Sequence, residues 1–191
     1  MTMKEQRVLV LPGYLNSGPG HWQTRWEDER AGFVRVQMPD WTHPECDAWC
    51  RALDSAVGEA SAAGARVLLA AHSLGCLTIA HWAARHASAA RAGGAVAQVA
   101  GALLVAVPDP HGPAFPADAH GFDPVPLVPL PFASIVVASS DDPYGGIPFA
   151  ERCAQAWGSR WNGIGPRGHI NAESGLGGWP QGLEWLESMS K

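Results

Sequence analysis

Short runs of consecutive apolar residues alternate along the chain with longer stretches in which apolar positions recur at helical spacing. Glycine or proline punctuates most of the joins. Arg7 to Leu11 is an apolar run of strand length, ended by Pro12-Gly13. Phe33 to Met38 alternates with period two until Pro39 closes it, and Ala65 to Ala71, Gly101 to Val107 and Phe132 to Ala138 read as further buried strands. Arg160 to Ile164 reads as a short sixth. Helical patterns lie between them: His21 to Arg30, from near Pro44 through Trp49 and Leu53 to Ala62, from Leu74 to about Ala87, Pro148 to Trp157, and Trp179 to Met189.

Strands that are apolar throughout, not only at alternate positions, are buried on both faces. Their alternation with helices predicts a parallel sheet covered on each side. The expected fold is α/β: one domain over residues 1–191, a three-layer sandwich around a mostly parallel six-stranded sheet of order 2-1-3-4-5-6. In that order the direction of winding reverses between strands 1 and 3, where ligands of such sheets bind. The proline-rich segment 108–131 has no pattern of its own, and its place after a central strand makes it a candidate partial lid.

The third strand runs into the following helix with no loop between them, through Ala71-His72-Ser73-Leu74-Gly75. A serine at such a join, with small residues two before and two after it, has the pattern of a nucleophile elbow. There the hydroxyl projects from the carboxyl end of a strand, and the N–H of the next residue, Leu74, faces any anion formed at it. Ala71 stands where the general pattern has glycine.

A serine hydroxyl needs a base, and the base needs an acceptor to orient it. In the hydrolase fold these follow in the order Ser, Asp or Glu, His, each at a strand's carboxyl end. Ser73, Asp141-Asp142 after strand 5 and His169 after strand 6 satisfy both order and position. Asp142 is favoured over Asp141 because the residue before proline is held extended; Asp141 caps or is solvated. The loop after strand 1 supplies the second oxyanion amide, with Tyr14 the candidate and Leu15 the alternative. That loop lacks the G-x-G-x-x-G spacing of a dinucleotide site.

Composition narrows the partners. The chain has 191 residues, 47% of them hydrophobic, and a formal net charge of −5 with 13 Lys and Arg. No basic cluster is present, which argues against nucleic acid or an anionic membrane surface and for a small, neutral or weakly charged ligand. No apolar run has the length of a signal peptide or a membrane span, so the expectation is a soluble cytoplasmic protein. The four cysteines show no disulfide or zinc spacing; no metal and no cofactor is expected. Cys76 reads as packing behind Ser73. Leu15, Trp41, His72 and His111 are candidate pocket residues, although packing or solvation also accounts for each.

The blocks Leu11-Pro12-Gly13-Tyr14, His21-Trp22-Gln23, Pro39-Asp40-Trp41, Ala71 to Gly75, Ala138 to Tyr144 and Gly168 to Gly175 span nearly the whole chain. Together they resemble the small serine hydrolases related to retinoblastoma-binding protein of the RBBP-nine type and its bacterial relatives. The resemblance implies a capless α/β-hydrolase with Ser73 as nucleophile, Asp142 as the acid and His169 as the base. The expected activity is carboxylester hydrolysis on small acyl esters. Two other readings use the same residues: a protein-binding module with a vestigial triad, and a thioesterase or acyltransferase.

Overall fold

The computed structural model describes residues 6–90 and 94–190. Six strands form one sheet: β1 (Gln6–Leu11), β2 (Phe33–Arg35), β3 (Arg66–His72), β4 (Val99–Val105), β5 (Ala133–Ala138) and β6 (Arg160–Gly163). All neighbours are parallel, and the order is β2-β1-β3-β4-β5-β6. Five α-helices cover it: α1 (Trp22–Glu29), α2 (Cys46–Ala62), α3 (Leu74–Ala90), α4 (Ile147–Trp157) and α5 (Pro180–Glu187). Among the described residues no helix is long and apolar enough to cross a membrane.

Side chains of successive strand residues point to opposite faces, so each apolar run feeds two cores. From β1 and β3, Leu9, Leu11, Val67, Leu69 and Ala71 pack with α2, α3 and α4, whereas Val8, Val10, Leu68 and Ala70 pack with α1 and α5. The second core is built on tryptophans. Trp22 lies 4.5 Å from Trp26 and 5.1 Å from Trp179, ring centre to ring centre.

Several element boundaries differ from the sequence reading. β2 ends at Arg35, not Met38, because it is an edge strand paired on one side only; Val36 and Met38 are nevertheless buried, as their alternation predicts. β4 covers Val99–Val105, not 101–107, since Ala106 takes a left-handed conformation (φ 57°) that ends the strand. α2 starts at Cys46, beyond Pro44, and its first amide donates to the carbonyl of His120.

That last contact belongs to the segment 108–131, which has neither helix nor strand but is fastened at several points. The His120 amide donates to Pro44, His81 Nε2 donates to the carbonyl of Phe122, and Trp157 Nε1 donates to that of Pro126. Phe122 itself is buried against Trp49.

At the join of β3 and α3 the packing is close. A Cβ on Gly75 would lie 2.5 Å from the carbonyl oxygen of Leu11 and 2.9 Å from that of Pro12. Gly75→Ala should therefore lower stability by about 1–3 kcal/mol, as overpacking does. Gly58, inside α2 with nothing within 4 Å of a Cβ, is the control: Gly58→Ala should raise stability by roughly 0.5–1 kcal/mol. Urea denaturation midpoints of the two variants check both signs.

Candidate active site

Ser73 stands between β3 and α3 with φ 53°, a region in which an L-residue is strained. Its own amide donates to Val105 across the sheet, which fixes the turn. The chain leaving β1 comes so close that a Cβ on Gly13 would lie 2.7 Å from the Cβ of Ser73. Gly13 and Gly75 thus let two backbone segments meet at the elbow. The methyl of Ala71, buried in the core under α3, is accommodated.

The hydroxyl of Ser73 lies 2.8 Å from Nε2 of His169, and Nδ1 of His169 lies 2.8 and 2.9 Å from the two carboxylate oxygens of Asp142. A carboxylate only accepts, so Nδ1 carries the proton and Nε2 presents its lone pair to the serine O–H. The Asp142 side chain is 1% exposed and also accepts from the amide of Tyr144. Tyr144 covers the imidazole, ring centres 4.3 Å apart. Ser73, His169 and Asp142 are 27 to 96 residues apart in sequence and meet at one rim of the sheet.

Two amides face the same rim. Leu74 is the first residue of α3, and its N–H has no acceptor within the helix. In the loop after β1 the amides of Leu15, Asn16 and Ser17 bind Trp41 O, Gly13 O and Asn16 Oδ1. Among the described residues the amide of Tyr14 has no such acceptor, whereas that of Leu15, the alternative donor, is engaged. Leu15 and Asn16 both have left-handed φ, 62° and 67°, and Arg35 holds the turn through Asn16 Oδ1 and Ser17 O.

A cleft of about 180 Å³ opens over Ser73, walled by Tyr14, Leu15, Pro108, Pro116, Tyr144 and Asn171, with His21 and His72 deeper in. Leu15 and His72 therefore border the cleft, whereas two other candidates lie outside its lining. Trp41 packs its ring on Trp49, 5.5 Å between centres, and His111 is 75% exposed beside Asp109 and Asp123. Cys76 is buried, with its Sγ against the carbonyl of Val105, and burial pushes its thiol up.

His21 and Gln23, quoted in the sequence reading only within a motif block, are neighbours of the site that it did not name as site residues. Gln23, fully buried, donates to the carbonyls of Leu11 and Ala70 and so ties the carboxyl ends of β1 and β3 together. Its oxygen accepts from Ser17. A buried glutamine between Trp22 and Trp26 is the available signal. His72 donates from Nε2 to the backbone carbonyl of His169 at 2.7 Å, joining the elbow to the turn that carries His169.

Burial holds both inner imidazoles neutral. His21 is lowered from 6.5 to about 3, by desolvation first and then by Arg35 and His169; His72 is lowered well below its ordinary value, chiefly by desolvation. The cleft lining contains no aspartate, glutamate, lysine or arginine. Among the described residues no group of three or more His, Cys, Asp or Glu is placed to hold a metal ion.

The family described as "Serine hydrolase" matches residues 8–188. Among solved structures, the chain is similar to a protein described as a YdeN-like hydrolase from Pectobacterium atrosepticum, with 30% identity and a TM-score of 0.79 over 97% of this chain and 91% of that one. The ydeN gene product of B. subtilis is similar at 20% identity and a TM-score of 0.70, over 96% and 98% of the two chains. A thermophilic esterase from Thermogutta terrifontis is similar at 16% identity and a TM-score of 0.65, over 100% and 92%. No curated protein matches the chain.

A histidine whose folded pKa lies below its unfolded one binds fewer protons in the folded state throughout the interval between them. For His21 that interval runs from about 3 to 6.5, so stability rises with pH across it and is lost on acidification. His21→Asn keeps a side chain able to cap α1 and removes this titration. The slope of unfolding free energy against pH between 4 and 6 should fall by roughly 1.4 kcal/mol per pH unit. Urea titrations at several pH values measure the slope, which an offset in overall stability does not alter.

Proposed function

The chain belongs to the serine hydrolase family, and from the geometry of its site we propose that it is a carboxylesterase acting on small, uncharged acyl esters. Ser73 is the nucleophile, His169 the general base and Asp142 the group that orients the base. The observation that carries the reading is the unbroken line of hydrogen bonds from Asp142 through His169 to Ser73, ending where the cleft opens.

In this mechanism Ser73 Oγ attacks the ester carbonyl while Nε2 of His169 takes its proton. The imidazolium is stabilised by Asp142, which stays ionised. The carbonyl oxygen, now an anion, accepts from the amides of Tyr14 and Leu74. Each such donor contributes on the order of 10²–10³ in rate. His169 then returns the proton to the departing alcohol, and a water molecule activated in the same way releases the acid from Ser73.

The substrate class follows from the walls. A cleft of about 180 Å³ is below the roughly 300–1,000 Å³ of sites for drug-sized ligands. Its inner imidazoles are neutral and no ionised side chain lines it apart from the base in turnover, so a charged acyl group would lose its hydration without compensation. The kinship with the RBBP-nine type belongs to the same proposal and rests on the motif blocks.

Purified protein should hydrolyse 4-nitrophenyl acetate and butyrate and bind a fluorophosphonate probe at Ser73, and a 4-nitrophenyl hemisuccinate should be a poorer substrate. Ser73→Ala should abolish labelling, and His169→Ala should lower kcat about 10⁴-fold or more. Failure of the wild type to be labelled, or equal labelling of Ser73→Ala, overturns the assignment. A hemisuccinate turned over as well as the butyrate overturns the substrate class.

A further inference from the structure

Two neighbouring aspartates follow β5, and only one of them touches the His169 side chain. Asp142 turns inward to the imidazole, whereas Asp141 lies on the surface. Its Oδ1 accepts from the amides of Arg167 and Gly168, at 2.8 and 2.7 Å, the two peptide groups immediately ahead of His169. The same oxygen accepts from the hydroxyl of Ser139 at 2.7 Å, and that hydroxyl also accepts from the Arg167 amide at 2.8 Å. One carboxylate oxygen and one buried hydroxyl thus hold the entry to the base-bearing turn.

The other bonds on this side reach carbonyls and not amides: the Ser140 amide donates to the carbonyl of Gly165 and the Ser174 hydroxyl to that of Arg167. Gly165 and Gly168 adopt left-handed φ of 71° and 55° with nothing within 4 Å of where a Cβ would stand. Gly168 gains rotational freedom once its amide is released. Beyond the base the chain is held by side chains from elsewhere: His72 donates to the His169 carbonyl and Trp22 Nε1 to the Ile170 carbonyl. His169 therefore sits between a fixed exit and an entry whose last two amides are held by Asp141.

We infer that Asp141 is a positioning residue, which aims the imidazole of His169 at Ser73 by holding the Arg167 and Gly168 amides. The inference rests on the proposed role of His169 as base. The ionised form of Asp141 is the better holder. The Ser139 hydroxyl and the amides of Gly168 and Arg167 keep its carboxyl below its ordinary range, and charge-assisted hydrogen bonds are the stronger kind. Because the carboxylate is exposed, its loss releases the two amides to water and leaves only the Ser139 hydroxyl without its acceptor, so the effect falls on geometry more than on stability. A displacement of about 1 Å in a catalytic group costs on the order of 10²-fold in rate.

Asp141→Ala should lower kcat about 10- to 100-fold with KM within twofold, and should leave the melting temperature within a few degrees. Asp141→Asn keeps an acceptor oxygen at the same place, so it should recover kcat to within about fivefold of wild type, since a neutral acceptor is roughly half as strong. Ser139→Ala should show the same split at smaller amplitude. Nitrogen–proton NMR of the His169 imidazole should find its signals shifted or broadened in Asp141→Ala and near wild type in Asp141→Asn. These spectra need no turnover, so a wild type that hydrolyses nothing would sink the esterase reading while the NMR still decides this one. Wild-type kcat and imidazole signals in Asp141→Ala, or an Asp141→Asn variant no better than Asp141→Ala, would overturn it.

Discussion

The structure depends on a backbone collision that glycine alone avoids. Where β1 ends and α3 begins, Gly13 faces Ser73 and Gly75 faces the carbonyls of Leu11 and Pro12, each at a distance that leaves room for a hydrogen and not for a methyl. This approach lets β3 pass into α3 without a loop. It therefore forces Ser73 into a left-handed conformation and points its hydroxyl out of the sheet. The same approach brings the amide of Tyr14 to the mouth of the elbow, because Tyr14 directly follows the glycine that makes contact. The proposed nucleophile and oxyanion donor are thus consequences of one steric event between two adjacent strands.

Closing that gap calls for side-chain donors that add a second hydrogen bond to carbonyls near the strand ends. Gln23 meets the need at the carbonyls of Leu11 and Ala70, and its own oxygen is taken by Ser17. His72 and Trp22 do the same for the carbonyls of His169 and Ile170. α1 is consequently more than a cover for the sheet. Its first turn carries side chains that tie β1, β3 and the base-bearing turn to one another, although those three segments are far apart in the chain.

The fold was legible because burying both faces of a parallel sheet makes its strands apolar throughout, and little else in a protein of this size requires apolar runs such as Val67 to Ala71. Strand order and the joining of Ser73, Asp142 and His169 at one rim followed from that layout. What sequence could not supply was direction. Trp41 and His111 lie in loops near the cleft in sequence, yet Trp41 turns onto Trp49 and His111 toward Asp109 and Asp123. Ala106 ended β4 early through a left-handed φ that no local residue type announces. The two aspartates after β5 were separable by the proline that follows Asp142, but the partners of Asp141 are amides some 26 residues on, visible only once β6 has brought them alongside.

No helix or strand is inserted between β4 and β5, where segment 106–132 instead lies folded against α2, α3 and α4. The cleft is therefore walled by two loops, the turn after β1 on one side and the start of this segment, at Pro108 and Pro116, on the other. Both are anchored at their bases, the first by half-buried Arg35 and buried Gln23 and the second by buried Phe122 and the backbone contacts of His120. Side chains at the loop tips, such as the exposed Leu15, carry little of that anchoring. Replacement there alters what the cleft admits while leaving the elbow and His169 in place, so under the proposed function the choice of acyl group is separable from the chemistry that cleaves it.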